Sequence, residues 1–254
     1  MILKLNEITK YFGGIAAVED VEFEVKEGNI VALIGPNGAG KTTLFNIITG
    51  ALSPNQGSII YKGKDMIGNK PFQMASAGIT RTFQNLQLFG GMTVLENIMA
   101  GAYLRGKKGF LQSFYTLPRK CSEEKRIRTE ALFLLEEIGL AEMAELPAAA
   151  LPFGKQRLLE IVRALASEPS LILFDEPAAG LNIVETETLT NYLKHLKKRT
   201  SMILIEHDME TIMEAADRIV VLDFGRVIAQ GTPAEIQVNP EVIKAYLGED
   251  EQIA

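Results

Sequence analysis

Residues 35–43 read Gly-Pro-Asn-Gly-Ala-Gly-Lys-Thr-Thr and follow five apolar residues, Ile30 to Ile34. The pattern G-x-x-x-x-G-K-[ST], set between a strand and a helix, is one that cradles nucleotide phosphates. Gly35, Gly38 and Gly40, with Asn37 and Ala39 between them, let backbone N–H groups turn inward on the phosphates. The amino end of the helix that follows adds a favourable dipole. Lys41 is expected to reach the β- and γ-phosphates and Thr42 to hold Mg2+ through its hydroxyl, with Thr43 among the nucleotide-binding residues.

Far downstream, Leu171-Ile172-Leu173-Phe174 ends in Asp175-Glu176. Four apolar residues followed by two acids deliver carboxylates from the end of a buried strand. Asp175 is then expected to bind Mg2+ through water. Glu176, just beyond the strand, is placed to polarise a water that attacks the γ-phosphate, as a general base. Alone, such an acid pair reads equally as solvated surface, and the phosphate loop upstream gives it meaning.

The elements that must hold these residues follow from hydrophobic periodicity. Leu3, Leu5 and Ile8, then Val21, Phe23 and Val25, alternate as half-buried strands ending at the turn Lys26-Glu27-Gly28. Ile30 to Ile34 is continuously apolar, which places it in the centre of a sheet covered on both faces. Leu44, Ile47 and Ile48 have helical spacing before Gly50, and Ser58 to Gly63 reads as a short strand and turn. A helix is expected to open at Ser122 with Ile127, Ala131, Leu134, Leu135 and Ile138 on one face, ending near Gly139. A second stripe, Leu158 to Leu165, stops before Pro169; Met202 to Ile205 and Ile219 to Leu222 are strands, and Phe224-Gly225 turns the latter back on itself.

With these elements placed, the chain resembles the ABC ATPase family, whose further motifs occur in order. Gln84 in Arg81-Thr82-Phe83-Gln84-Asn85 is similar to the Q-loop glutamine that touches the metal near the permease contact. His207 in Ile205-Glu206-His207-Asp208 resembles the switch histidine that binds the γ-phosphate, and Phe12 resembles the aromatic that stacks on adenine. Taken singly, these three read equally as a surface amide, a strand-end histidine and a core aromatic; their joint order carries the resemblance. Leu151-Pro152-Phe153-Gly154-Lys155-Gln156-Arg157 stands where the family has L-S-G-G-Q. Pro152 replaces the serine hydroxyl that would contact a γ-phosphate on the opposite subunit and lacks an N–H of its own, leaving Gly154, its neighbours and Lys155 for that contact. Asn182 stands where the D-loop usually has aspartate. The run Arg81 to Gln84, a long basic insertion, the run Asp175 to Asn182 and the tail Asn239 to Gly248 resemble the ATP-binding subunits of branched-chain amino acid importers.

The resemblance implies an α/β fold: a P-loop NTPase (RecA-like) core with a mixed sheet, an antiparallel β flap and a helical subdomain. It sets the core with its flap at 1–86 and 157–254, and the helical subdomain with the basic insertion at 87–156. It also implies ATP and Mg2+ as ligands, with Lys41, Gln84, Glu176 and His207 catalytic and Thr42, Gln84 and Asp175 on the metal. Its partners are transmembrane permease subunits and a second ATPase subunit, of the same or a related chain, in a head-to-tail dimer. The basic stretch 105–120 reads as a solvated insertion or as a contact for permease loops or anionic headgroups.

Composition bounds these expectations. At 47% apolar and 23% charged the chain can bury a core, and its net charge of −6 argues against a duplex-DNA partner. Cys121 is the only cysteine, which fits a reducing cytosol. Met1 to Lys10 alternates as a strand rather than forming the apolar run of a signal peptide, and no run approaches the roughly 18 apolar residues of a spanning helix. Any link to a membrane must then run through a protein partner, and the resemblance implies the inner face of the cell membrane, reached through the permease. The rival readings are a nucleotide-gated dimerisation module with weak hydrolysis, an ABC ATPase for another solute, a soluble ABC protein of DNA repair or translation, and a P-loop kinase.

Overall fold

The computed structural model describes residues 1–103 and 117–247. In chain order these form β1 (Leu3–Phe12), β2 (Ile15–Val25), β3 (Ile30–Ile34), α1 (Lys41–Ile48), β4 (Gln56–Tyr61), β5 (Lys64–Asp65), α2 (Pro71–Ala77), β6 (Ile79–Arg81), α3 (Val94–Tyr103) and α4 (Leu117–Glu137). They continue through α5 (Phe153–Leu165), β7 (Leu171–Asp175), α6 (Ile183–Leu196), β8 (Ser201–Ile205), α7 (Met209–Ala215), β9 (Arg218–Asp223), β10 (Arg226–Gly231), α8 (Pro233–Gln237) and α9 (Pro240–Leu247). Two compact units result, residues 1–81 with 170–254 and residues 82–169. Most of the basic stretch 105–120 lies outside the described residues. Among those described, no helix is long and apolar enough to cross a membrane.

The first unit holds two sheets: an antiparallel one in the order β2-β1-β4-β5, and a six-stranded one in the order β10-β9-β3-β8-β7-β6. β3 lies inside the larger sheet, parallel to β8 and β9, as its unbroken apolar run requires. Its residues alternate between two cores. Val31 and Leu33 join the cluster shared with α1 and the antiparallel sheet, whereas Ala32 and Ile34 join Ile212, Ile236 and Val242 from α7, α8 and α9.

Strand direction places the chemistry. β7 and β8 run parallel, with Asp175 opposite Ile205, and β8 and β3 run parallel with Ala32 opposite Leu204. The segments leaving Ile34, Asp175 and Ile205 therefore emerge at one carboxyl edge, where open α/β sheets bind ligands. The runs that carry the phosphate loop, the acid pair and His207 are three of the five parallel strands that end there.

The second unit is helical. α4 starts at Leu117, earlier than the Ser122 start expected from the sequence, because nothing in Leu117 to Cys121 breaks a helix once Pro118 takes its first turn. On its apolar face Ile127, Ala131 and Leu135 are buried, whereas Leu134 is only half-buried and Ile138 falls past the helix end in the turn to Gly139. The segment expected as a signature loop is largely helix: α5 begins at Phe153, with Pro152 as its N-cap residue at φ −54° and ψ 150°. Proline suits that place, since an N-cap needs no intrahelical N–H bond.

Candidate functional site

Between β3 and α1 the chain forms a tight cradle. Gly35 sits at φ 147°, where an added Cβ would lie 2.0 Å from the Leu222 carbonyl oxygen. Gly40, at φ 100°, caps α1 in the left-handed region, and a Cβ there would meet the Ala17 carbonyl oxygen at 2.5 Å. No side chain caps α1, so the N–H groups of its first turn stay available to an anion. Lys41 is buried, and its Nζ donates to the carbonyls of Gly35 (2.5 Å) and Pro36 (2.9 Å). The turn after β9 braces the loop from behind, since Gly225 N–H donates to the Ala39 carbonyl and Glu19 N–H to the Gly225 carbonyl.

This loop lines a cavity of about 210 Å³ through Asn37, Gly38, Ala39, Gly40, Lys41, Thr42 and Thr43. Its other walls are Ala17, Ile205, Glu176 and His207, so residues remote in sequence share one hollow. Glu176 follows β7 at φ 50°, an uncommon conformation for a residue with a side chain, and its N–H donates to the Ile205 carbonyl at 2.9 Å. That bond turns the side chain toward the β8 edge, where Oε1 lies 3.0 Å from His207 Nε2. The pair also borders a second cavity of about 470 Å³ with Leu181, Glu206 and Asp208.

Two neighbours of His207 set its backbone. Glu206 is buried and accepts from Ala178 N–H at 2.6 Å and from His207 N–H at 3.2 Å, tying the segment after Glu176 to the end of β8. Burial pushes the Glu206 carboxyl above the usual glutamate range, against those two hydrogen bonds and with Glu176 and Asp208 adding repulsion. Asp208 caps α7 by accepting from Thr211 Oγ1, Thr211 N–H and Glu210 N–H, with the Thr211 hydroxyl first among the causes that hold its carboxyl below the usual range.

Asp175 ends β7 but is not on the wall of the phosphate cavity. Its Oδ2 receives Arg81 Nη2 at 2.5 Å, and Arg81 Nη1 donates to Asn46 Oδ1 at 2.6 Å. Phe12 stands half exposed at the β1–β2 turn with Lys10 Nζ 5.5 Å from its ring centroid. The cradle fits a polyphosphate because its glycines leave room that any Cβ would fill. A hydroxyl and one carboxylate, Thr42 and Asp175, are a donor set that suits Mg2+ when phosphate oxygens and water complete its shell.

Gln84 and Gly154 belong to the second unit. There Arg157, on α5 beside Gly154, donates to the carbonyls of Phe83 (3.2 Å) and Gln84 (2.8 Å). Glu160 pairs with Arg157 at 2.9 Å and accepts from Gln87 N–H at 2.9 Å, with both side chains only 2% exposed. Lys155 Nζ lies 3.6 Å from Met143 Sδ. Asn182, the D-loop departure, caps α6: its side chain accepts from Glu185 N–H at 3.0 Å, and Glu185 returns the bond to Asn182 N–H. An aspartate would cap equally well. Sequence reasoning assigned no role to Arg81, Arg157, Glu160 or Glu206, and their one signal was a charged residue inside an otherwise apolar or motif-bearing run.

The model of the ABC transporter family matches residues 18–179, and that of the branched-chain amino acid ATP-binding cassette transporters matches residues 226–252. A high-affinity branched-chain amino acid transport ATP-binding protein of Salmonella typhimurium is 42% identical over 250 residues, 98% of this chain and 98% of its own. Among solved structures, the ADP conformation of an ATP-binding cassette of an ABC transporter superposes with TM-score 0.84 at 33% identity, covering 97% of this chain and 98% of that one. A dimeric post-hydrolysis cassette bound to ADP and Pi superposes with TM-score 0.75 at 26% identity, covering 91% and 99%.

Proposed function

This chain belongs to the ABC transporter family of ATP-binding proteins, and from that premise we propose that it is the Mg2+-dependent ATPase powering an importer of branched-chain amino acids. The observation that carries the catalytic part is the meeting of loop residues 37–43 with Glu176 and His207 around one cavity. Backbone N–H groups of the loop and the α1 amino end hold the α- and β-phosphates, and Lys41 turns from its carbonyl partners to the β- and γ-phosphates. Thr42 and Asp175 would hold Mg2+, which would supply positive charge for the γ-phosphate oxygens.

Glu176 orients the attacking water and takes its proton as the new P–O bond forms. His207 holds that carboxylate in place through Nε2, 3.0 Å away, and contacts the γ-phosphate of bound ATP. Phe12 stacks on the adenine. Two such ATPase subunits, of the same or a related chain, pair head to tail, so that Gly154 and the α5 amino end of one face the nucleotide of the other. The resemblance to a dimeric cassette supports this arrangement. The subunit works at the inner face of the membrane, bound to permease subunits that convert closure of the pair into alternating access. The match over the carboxy-terminal segment supports branched-chain amino acids as the cargo.

The test is Glu176→Gln in the purified transporter complex. ATP binding is expected to persist while hydrolysis falls about 10²–10⁴-fold. Unchanged turnover removes Glu176 as the base. A wild-type complex that binds Mg·ATP but never hydrolyses it favours a nucleotide-gated dimerisation module instead.

A further inference from the structure

Arg81 is the last residue of β6, in the same unit as the phosphate loop, and its guanidinium joins three elements. Nη2 is 2.5 Å from Asp175 Oδ2 on β7, Nη1 is 2.6 Å from Asn46 Oδ1 on α1, and Cζ lies 5.6 Å from the Phe45 ring centroid. Both charged side chains are only 11% exposed. A carboxylate this sheltered requires a counter-charge, and Arg81 supplies it before any divalent cation arrives. The guanidinium is anchored from behind by Asn46 and Phe45, so it remains beside Asp175.

We propose that Arg81 is a positioning residue that sets how much Mg2+ the site demands: it occupies Asp175 Oδ2 in the nucleotide-free protein and competes with the cation for that carboxylate. The inference rests on the reading of Asp175 as the metal carboxylate. A guanidinium in direct contact with a sheltered carboxylate attracts it and repels any cation that approaches the same oxygen. A competing divalent cation feels the same charge, so removing Arg81 should tighten cation binding by about 10-fold or more.

The test is Mn2+ binding to the full chain in saturating AMP-PNP, followed by electron paramagnetic resonance, for wild type, Arg81→Met, Arg81→Lys and Asp175→Asn. Arg81→Met is expected to bind Mn2+ about 10-fold tighter, Arg81→Lys to stay within about 3-fold of wild type, and Asp175→Asn to bind more weakly. Weaker or unchanged Mn2+ binding in Arg81→Met, beside a weakened Asp175→Asn, overturns this proposal alone. Unchanged binding in Asp175→Asn overturns the reading of Asp175 and this proposal with it. Should Arg81→Met fail to fold, the side-chain 15N resonances of Arg81 in the unaltered protein serve instead. They are expected to shift further on AMP-PNP with Mg2+ than on AMP-PNP with EDTA, and an identical response to both overturns the proposal.

Discussion

Replacing Arg157 by methionine removes the cation of a buried network while nearly keeping its volume. Glu160, 2% exposed, is left without its counter-charge 2.9 Å away, and the carbonyls of Phe83 and Gln84 lose their donors. Breaking a buried pair from one side costs about 3–5 kcal/mol, because the remaining carboxylate has no water and keeps only the Gln87 N–H bond in place of its ion pair. The lost carbonyl bonds belong to the same network and do not add to this in full. Against a total stability of about 5–15 kcal/mol the loss is large, and in a chain of this size it lowers Tm by about 6–20 °C. Glu160→Gln keeps an acceptor for Gln87 N–H but leaves the buried Arg157 without its counter-charge, so its cost should be comparable, about 3 kcal/mol. Urea unfolding of both single variants and of Arg157→Met with Glu160→Gln gives the coupling directly. An Arg157→Met loss below about 1 kcal/mol, or a double variant whose loss equals the sum of the singles, refutes the claim that α5 holds the Gln84 segment through this pair.

Gly40→Ala places a Cβ 2.5 Å from the Ala17 carbonyl oxygen at a φ of 100°, and is expected to abolish binding of a fluorescent ATP analogue; retained affinity contradicts the cradle geometry. For Glu206 the folded-state pKa is raised, so its favourable contribution is complete below the ordinary glutamate value of 4.5 and fades as pH rises through the folded value. Glu206→Gln carries no such charge and keeps an acceptor for Ala178 N–H, so its Tm should gain on that of wild type as pH rises from 4.5 toward 8; a difference constant over that range contradicts the burial argument.

How far each feature could be read in advance depended on whether its cause was local. The strands β3, β7 and β8 announced themselves as unbroken apolar runs, and the β9–β10 reversal by Phe224-Gly225. By contrast, α6 opens with Ile183 and Val184, 80% and 70% exposed, so its apolar residues do not form the single stripe by which a helix is recognised. Pro152 and Asn182 looked like losses when compared with the family pattern. In the folded chain both are N-cap residues, Asn182 with a side-chain bond from Glu185 N–H and Pro152 without one.

The phosphate cradle was written in nine consecutive residues, because a loop that binds through its own N–H groups needs only glycines at the right places and a helix to follow. The meeting of Glu176 with His207, 31 residues apart, was left to the assembled sheet. So was the pairing of Asp175 with Arg81, 94 residues away. Those encounters depend on strand order and on the register that sets Asp175 opposite Ile205 and Ile172 opposite Thr80. Register is a sum over many weak contacts across the sheet, and no short stretch of chain contains it.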